Sequence, residues 1–462
     1  MHPTPHYRPA LHFTPRSTWM NDPNGLILHK GQYHLFFQNN PAGRTWGSIG
    51  WGHAVSSNLL DWEELPMAIP ATEQEMAFSG SVVWDRDNTS GLGDGPDGPL
   101  VALFTSSYTA AHPERAGLQA QSLAFSVDDG LTWTRYPGNP VLDRGSRDFR
   151  DPKVSWHEPT RRWVMVAVEA ADRQVLVFSS PDLIDWTHES SVGPLGEEGL
   201  LWECPDLIEV PLEGAGVSRW VLLLSTNPGG FAGGSGMHYL VGDFDGATFT
   251  ADGGLRWFDH GPDMYAAVSF QGTDQPTVMG WMSNWAYANA TPTYPWQSAM
   301  TLARTLTLAP GVGGPLLRHT PVLPAVARKG VQLADFELLP GEQVVVETGD
   351  GEELSRFMLQ RLPDGDLVVD RSGADPHGVH AGIHVTPPIA LPDGPVSGLL
   401  VEDHGLIEVF LDGGRVAVTT QTFPHVGPVR VVGPTRPGAG GRAGDAAVAA
   451  VAAADTGAVA VG

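Results

Sequence analysis

Apolar and polar residues alternate in short runs along most of the chain, and Gly, Pro, Asn and Asp interrupt the runs. This is the pattern of half-buried strands joined by tight turns, not of helices. Four segments share one design, an alternating run followed by a polar turn and an aromatic residue: "HAVSSNLLDW" ending at Trp62, "LAFSVDDGLTW" at Trp133, "VLVFSSPDLIDW" at Trp186 and "YLVGDFDGATF" at Phe249. The aromatics recur roughly every 50–70 residues, and each segment predicts a strand, a tight turn and the start of the next strand, with the aromatic packed back over the turn. A repeat of that length with several strands fits the blade of a β-propeller, and a fifth unit begins at "AAVSFQGTDQPTVMGWMSNW". The expected fold class is all-β, with a five-bladed β-propeller over residues 1–310.

The Gly- and Pro-rich string "APGVGGPLLRHTPVLPAVARKG" predicts a linker over 311–330. Alternation then resumes, most clearly in "LIEVFLDGGRVAVTTQTF", a hairpin turning at Asp412-Gly413-Gly414. Residues 331–436 are expected to form a β-sandwich domain. The tail 437–462 is low in complexity and expected to be disordered.

Composition narrows the function. Of 462 residues, 42% are hydrophobic and 17% charged, with 56 Gly, 39 Pro and 15 Trp, which favours short strands and turns. A net charge of −25 with only 27 Lys and Arg argues against a nucleic-acid partner, and an uncharged ligand is the easier fit. The single cysteine, Cys204, permits no intramolecular disulfide. The start "MHPTPHYRPALHF" lacks the apolar run of a signal peptide, and there is no stretch of 18 or more apolar residues. As it stands the chain reads as cytoplasmic and not membrane-bound, and a secreted protein with its leader removed would read the same. Oligomeric state stays open, and the sequon Asn88-Thr89-Ser90 receives no functional reading.

Three acids have unusual settings: Asp22 in "WMNDPNG", Asp151 in "DFRDPK" and Glu203 in "LLWECPDL". Each lies near Trp or Phe and near a Pro, and the repeat spacing puts each in a different blade. A propeller brings its innermost strands to one central channel, so these acids are candidates to meet there. As a bland alternative, Asn-Asp-Pro-Asn-Gly is a turn string, and turns account for any one of the acids but poorly for all three. Glu203 among Leu200, Leu201, Trp202 and Cys204 is expected to have a raised pKa and to suit a general acid. Asp22, with Asn21, Asn24 and turn N–H groups, is expected to be ionised and to suit a nucleophile. Asp151 beside Arg150 is expected to stay ionised and to grip substrate hydroxyls. Two carboxyls with pKa values pushed apart are the requirement of glycoside hydrolysis.

Taken in order with "YHLFFQNNP", "WGHAVS", "FSGSVV" and "GWMSNWAYANATPTYPW", the three motifs resemble the β-fructofuranosidase family of glycoside hydrolases, the invertase, inulinase and levanase group, over about residues 8–435. The resemblance implies a five-bladed propeller followed by a sandwich and a retaining reaction on terminal β-D-fructofuranosyl units, without metal or cofactor. By motif, Asp22 would be the nucleophile, Glu203 the acid/base and Asp151 the transition-state stabiliser. Asn21, Gln38, Trp46, Ser79, Arg150 and Trp296 would line the fructose pocket, and Cys204 would tune Glu203. "FSGSVVWDRDNTSG", "WHEPTRRWVM" and "WMSNW" are closer to exo-acting fructan hydrolases than to sucrose-6-phosphate hydrolases. Gln297 departs from the Arg expected after the tryptophan of "PW".

Other readings stay open. Fructosyl transfer or release of difructose would use the same acids, and a propeller that keeps the pocket but lacks catalysis would be a sugar-binding module. "SVDDGLTW" resembles the Asp-box of sialidase propellers, but the arginine cluster and nucleophilic tyrosine of a sialidase are not found. His377, His380 and His384 have metal-like spacing. A metal site is not expected there, because no acid or Cys motif accompanies them and a strand would not face all three one way.

Overall fold

The computed structural model describes residues 6–311 and 313–434. The expected disordered tail lies outside the described residues. Strands dominate, and the only helical elements among the described residues are four single 3-10 turns, such as Ala288–Ala290. The all-β expectation holds. No described helix is long and apolar enough to cross a membrane.

Strands between Thr18 and Pro321 form four sheets. Two are plain antiparallel sheets of four strands, one running from Glu75–Trp84 to Thr134–Arg135 and the other from Phe149–His157 to Thr187–Val192. In the latter the first strand is mostly buried while the last is largely exposed, so the sheet reads from core to solvent. A five-stranded sheet carries Thr18–His29, and its added strand is Trp296–Gln297, parallel to Thr18 and Trp19 from far along the chain. A ten-stranded sheet holds both Leu201–Leu212 and Tyr265–Ser269.

Five strands face one another around a closed cycle: Thr18–His29 packs on Glu75–Trp84, that on Phe149–His157, then Leu201–Leu212, then Tyr265–Ser269, which returns to the first. Each has an extra residue relative to its antiparallel partner at one shared position, and Thr18–His29 has a second between Asn24 and Ile27. The irregularities fall between Met20 and Pro23, Ala77 and Gly80, Arg150 and Lys153, Glu203 and Asp206, and Tyr265 and Val268. Such bulges bend a strand and re-aim its side chains.

The "WMNDPNG" string is therefore not a turn. It lies inside the long buried strand Thr18–His29, where Asn21 and Asp22 occupy one bulge and Gly25 falls in a second, while Pro23 and Asn24 pair with Phe37 and Phe36. Gly25 has φ +54°, and a Cβ there would come within 2.7 Å of Phe36 and Val82, so close packing dictates the glycine. The four repeat segments do form strand, turn and strand. The indole N–H of Trp62, Trp133 and Trp186 donates to the carbonyls of Leu59, Gly130 and Leu183 in the turn below it.

Beyond Val331 two antiparallel four-stranded sheets enclose a core that includes Phe336, Leu338, Phe357, Leu359, Leu400 and Val409. The hairpin at Asp412–Gly414 forms as expected. The stretch expected as linker differs: Leu316–Pro321 is a strand paired with Arg304–Ala309, because its alternating "LLRHTP" gives the preceding sheet another antiparallel neighbour.

Buried charges join the second region to the first. Arg304, fully buried, bonds Glu408 at 2.6 Å and Asp259 at 3.0 Å. His12 lies between Asp403 and Glu408 at 2.9 and 3.0 Å, and its pKa is raised to about 9 as hydrogen bonds to both acids outweigh burial. Arg371 meets Asp263 at 2.6 Å, two residues before Tyr265 of the fifth inner strand. Replacing Arg304 by Met would leave Asp259 and Glu408 without their cation. A stability loss of about 3–5 kcal/mol is expected from urea unfolding; an unchanged midpoint would show that the network carries no stability.

Candidate active site

The bulges bring the acids together. Asp22, Ser79, Asp151 and Cys204 each fall within the irregular stretch of a different inner strand. Asp151 and Cys204 have φ of +63° and +46°, a left-handed conformation uncommon for residues with a Cβ and typical of functional positions.

Asp22 accepts a hydrogen bond from the Ser79 hydroxyl at 2.8 Å and lies 3.6 Å from the Cys204 thiol, both through Oδ2. Its other oxygen is buried with no protein partner. Asn21 is buried beside it and accepts from the Trp19 indole N–H at 2.7 Å. Burial, followed by the charge of Glu203, raises the Asp22 pKa against the hydrogen bonds of Ser79, Asn21 and Cys204. The expectation of a freely ionised Asp22 is corrected to that extent, since the turn N–H groups invoked for it belong to a buried strand.

Asp151 is fixed from the backbone: its Oδ2 accepts from the Cys204 N–H at 2.9 Å, and its own N–H donates to Thr105 Oγ1 at 2.9 Å. Its pKa rises to about 7, with burial the largest cause; Arg150 opposes the rise and Glu203 adds to it. The expectation that Arg150 keeps it ionised fails because the guanidinium turns elsewhere. Arg150 Nη2 donates to Glu203 Oε1 at 3.0 Å and Nε to the same oxygen at 3.2 Å, whereas Asp151 Oδ2 is 3.9 Å from Nε.

Glu203 is not set in the apolar pocket that its sequence neighbours suggest. Trp202 packs into the core beside Val168 and Leu222, and Cys204 turns to the two aspartates. The carboxyl itself, with 21% of its side chain exposed, meets Arg150 on one oxygen and the Tyr265 hydroxyl on the other. Tyr265 was missed in the sequence, where "DMYAAVSF" carries no acid; its place in the fifth inner strand is the signal that would have found it. Its hydroxyl pKa is pushed well up by burial and by Glu203.

The remaining pocket candidates divide. Gln38 is buried beside the second inner strand, donating to the Ala77 carbonyl at 3.1 Å. Trp46 is 43% exposed with its ring against Phe78, an aromatic surface at the rim. Trp296 does not join the group. Its ring is 2% exposed, lies 3.8 Å below the Arg8 guanidinium, and borders a small cavity with Tyr7 and Phe423 from the second region's side. Trp285 lies closer to the acids: it stacks on Trp19 at 6.0 Å, contacts Trp281 at 4.8 Å, and packs in one cluster with Cys204 and Tyr265. Gln297 holds the turn at 288–291, donating to the Ala288 carbonyl at 2.7 Å.

The arrangement offers three carboxyls, one guanidinium, hydroxyl and amide groups and an aromatic wall, a set suited to gripping and protonating a polyhydroxylated neutral ligand. Because the folded-state pKa of Asp151 lies above the ordinary value of about 3.9, its stabilising contribution is present below about pH 4 and lost as pH rises through about 7. Asp151→Asn removes that loss. Calorimetry is expected to find the variant more stable than the parent at pH 8, with little gain at pH 4. A variant less stable at pH 8 would contradict the assigned burial cost.

Residues 12–320 match the Glycosyl hydrolases family 32 N-terminal domain. The levanase of Bacillus subtilis (strain 168) is 39% identical over 461 residues, spanning 90% of this chain and 66% of that protein. The extracellular exo-inulinase of Aspergillus niger is 45% identical over 333 residues, spanning 65% of this chain and 62% of the relative. The chain thus spans just under two thirds of the length of these curated relatives. Among solved structures, the exo-inulinase of Aspergillus awamori superposes with a TM-score of 0.86 at 34% identity, covering 94% of this chain and 96% of that one. The β-fructofuranosidase of Schwanniomyces occidentalis complexed with fructosyl-erythritol gives 0.82 at 32% identity, covering 93% and 95%. The acid motifs read from the sequence, the all-β architecture and these likenesses agree: the chain belongs to glycosyl hydrolase family 32.

Proposed function

We propose that the chain is a retaining glycoside hydrolase that removes terminal β-D-fructofuranosyl units from fructans, fructooligosaccharides or sucrose. The observation that carries this reading is the meeting of Asp22, Asp151 and Glu203 at the bulges of separate inner strands, with one oxygen of Asp22 buried and unpartnered. Relatives named levanase, exo-inulinase and invertase support the substrate class, as do neighbours solved with fructose and fructosylnystose. The closed cycle of five bulged strands supports a five-bladed propeller over about residues 1–310. The two packed sheets support a β-sandwich beyond about residue 331, and the paired strand Leu316–Pro321 supports a propeller that extends into the stretch expected as linker.

In this mechanism the free oxygen of Asp22 attacks C2 of the terminal fructosyl unit as the bond to the leaving oxygen breaks, and Glu203 gives that oxygen its proton. A water then enters, Glu203 takes its proton, and the new C2–O bond displaces Asp22 to release fructose. Ser79 and Asn21 hold the nucleophile in line, and Asp151, fastened by the Cys204 N–H, receives sugar hydroxyls. Arg150 and Tyr265 orient Glu203. The carboxyls interact closely enough that the pH profile belongs to the cluster, not to one residue. No metal or cofactor enters this chemistry. The partner is a neutral fructose-containing saccharide.

Asp22→Ala and Glu203→Ala are each expected to lower kcat by several powers of ten with the fold intact by circular dichroism, an order of magnitude typical of members of one catalytic unit. Near-normal turnover of sucrose by Asp22→Ala would remove it as nucleophile. A product time course on levan, inulin and sucrose tests the reaction type. Fructose alone and early is expected, difructose or longer new oligomers would indicate a difructose-releasing enzyme or a transferase, and no product from any of the three would leave only the sugar-binding reading.

A further inference from the structure

The histidines of "PHGVHAGIH" were expected to diverge along a strand without an acid. Instead 375–384 is an irregular loop. His377 leaves the group and meets the Tyr7 hydroxyl at 3.0 Å, while Asp375, just before the motif, turns its carboxylate back into the loop. His380 Nδ1 lies 3.2 Å from Asp375 Oδ2 and His384 Nδ1 lies 3.8 Å from the same oxygen. One ligand atom from each of the three residues lies within 4.8 Å of the other two.

The polar atoms of this group are poorly satisfied. His380 is 0% exposed, its Nε2 has no protein partner and its Nδ1 faces only the Asp375 carboxylate at 3.2 Å, while Nδ1 of His384 makes no hydrogen bond. A buried polar atom without a partner is costly and rare, and it calls for an explanation. The His380 ring is stacked on Phe423 and set edge-on to Tyr287, and neither aromatic neighbour offers its ring nitrogens a partner. The neighbouring cation, Arg371, is already paired with Asp263 at 2.6 Å and donates to the Tyr287 hydroxyl.

We propose that Asp375, His380 and His384 form a site for a divalent cation of the zinc type. Two imidazoles and a carboxylate are borderline ligands that suit zinc, cobalt or nickel over magnesium or calcium. Ligand atoms around a tetrahedral zinc stand about 3.3 Å apart, given bonds of about 2.0–2.1 Å. The Asp375 to His380 separation already fits. His384, one-third exposed, closes the rest by side-chain rotation, and its open side leaves the fourth position to water. The ion fastens the loop against Tyr287 and Phe423, and it uses none of the residues of the fructosyl chemistry, so the proposal is independent of that reading.

The test uses the full chain stripped with a chelator. Zinc titrated by calorimetry is expected to bind with one equivalent and to raise the unfolding temperature in a concentration-dependent way, while magnesium does neither. Cobalt is expected to give the visible absorption of a four-coordinate ion. His384→Ala is expected to weaken zinc binding by about 100-fold, and Asp375→Asn, which can still accept the loop's N–H bonds, by at least about tenfold. No tight equivalent in the parent chain would overturn the site outright, and unchanged binding in both variants would overturn it by giving the zinc to other residues.

Discussion

One extra residue in each of five neighbouring strands is the constraint on which the site depends. In a regular strand successive side chains point to opposite faces, so a run such as Asn21-Asp22 or Arg150-Asp151 would send one member away from the channel. The bulge breaks that alternation at the same level in all five strands. The left-handed residues Asp151, Cys204 and Ala266 are the local cost, about 1–3 kcal/mol each by general expectation. The nearly complete burial of Thr18–His29 and Tyr265–Ser269, with the pairing of Trp296–Gln297 to Thr18–Trp19, holds them there.

Electrostatics then differentiates groups that the backbone has merely gathered. One guanidinium serves three carboxyls, and it bonds Glu203 in preference to its chain neighbour Asp151. Asp151 and Asp22 are therefore held chiefly by neutral donors, the Cys204 N–H and the Ser79 hydroxyl, in surroundings that penalise charge. Asp22 carries that penalty because its free oxygen has no protein partner. An anion in this state gains most when a cationic centre develops beside it, as the oxocarbenium-like transition state of glycoside hydrolysis requires.

Sequence disclosed much of this and missed definite parts. Period-two alternation and the turn aromatics revealed the strands, because Trp62, Trp133 and Trp186 each cap their own local turn. The acids stood out through Pro and aromatic neighbours. Their environments were misjudged, because chain neighbours are not spatial neighbours in a bulged strand: Trp202 leaves Glu203 for the core, and Arg150 leaves Asp151 for Glu203. Tyr265 and Trp285 were invisible for the same reason, since their partners come from other strands. Trp296, chosen by motif, lies under Arg8 instead. Asp375 escaped notice because the loop that folds it onto His380 and His384 has no periodicity to read.

The central claim is that Asp22 forms a bond to the sugar. The most direct test is to slow the second step in a Glu203→Gln variant, offer a fructosyl donor whose leaving group needs no protonation, quench with acid and analyse the peptides by mass spectrometry. The account predicts one fructosyl residue attached to the peptide carrying Asp22, and none when Asp22 is also replaced. A fructosyl group on another residue, or turnover with no covalent species at any time point, would contradict it.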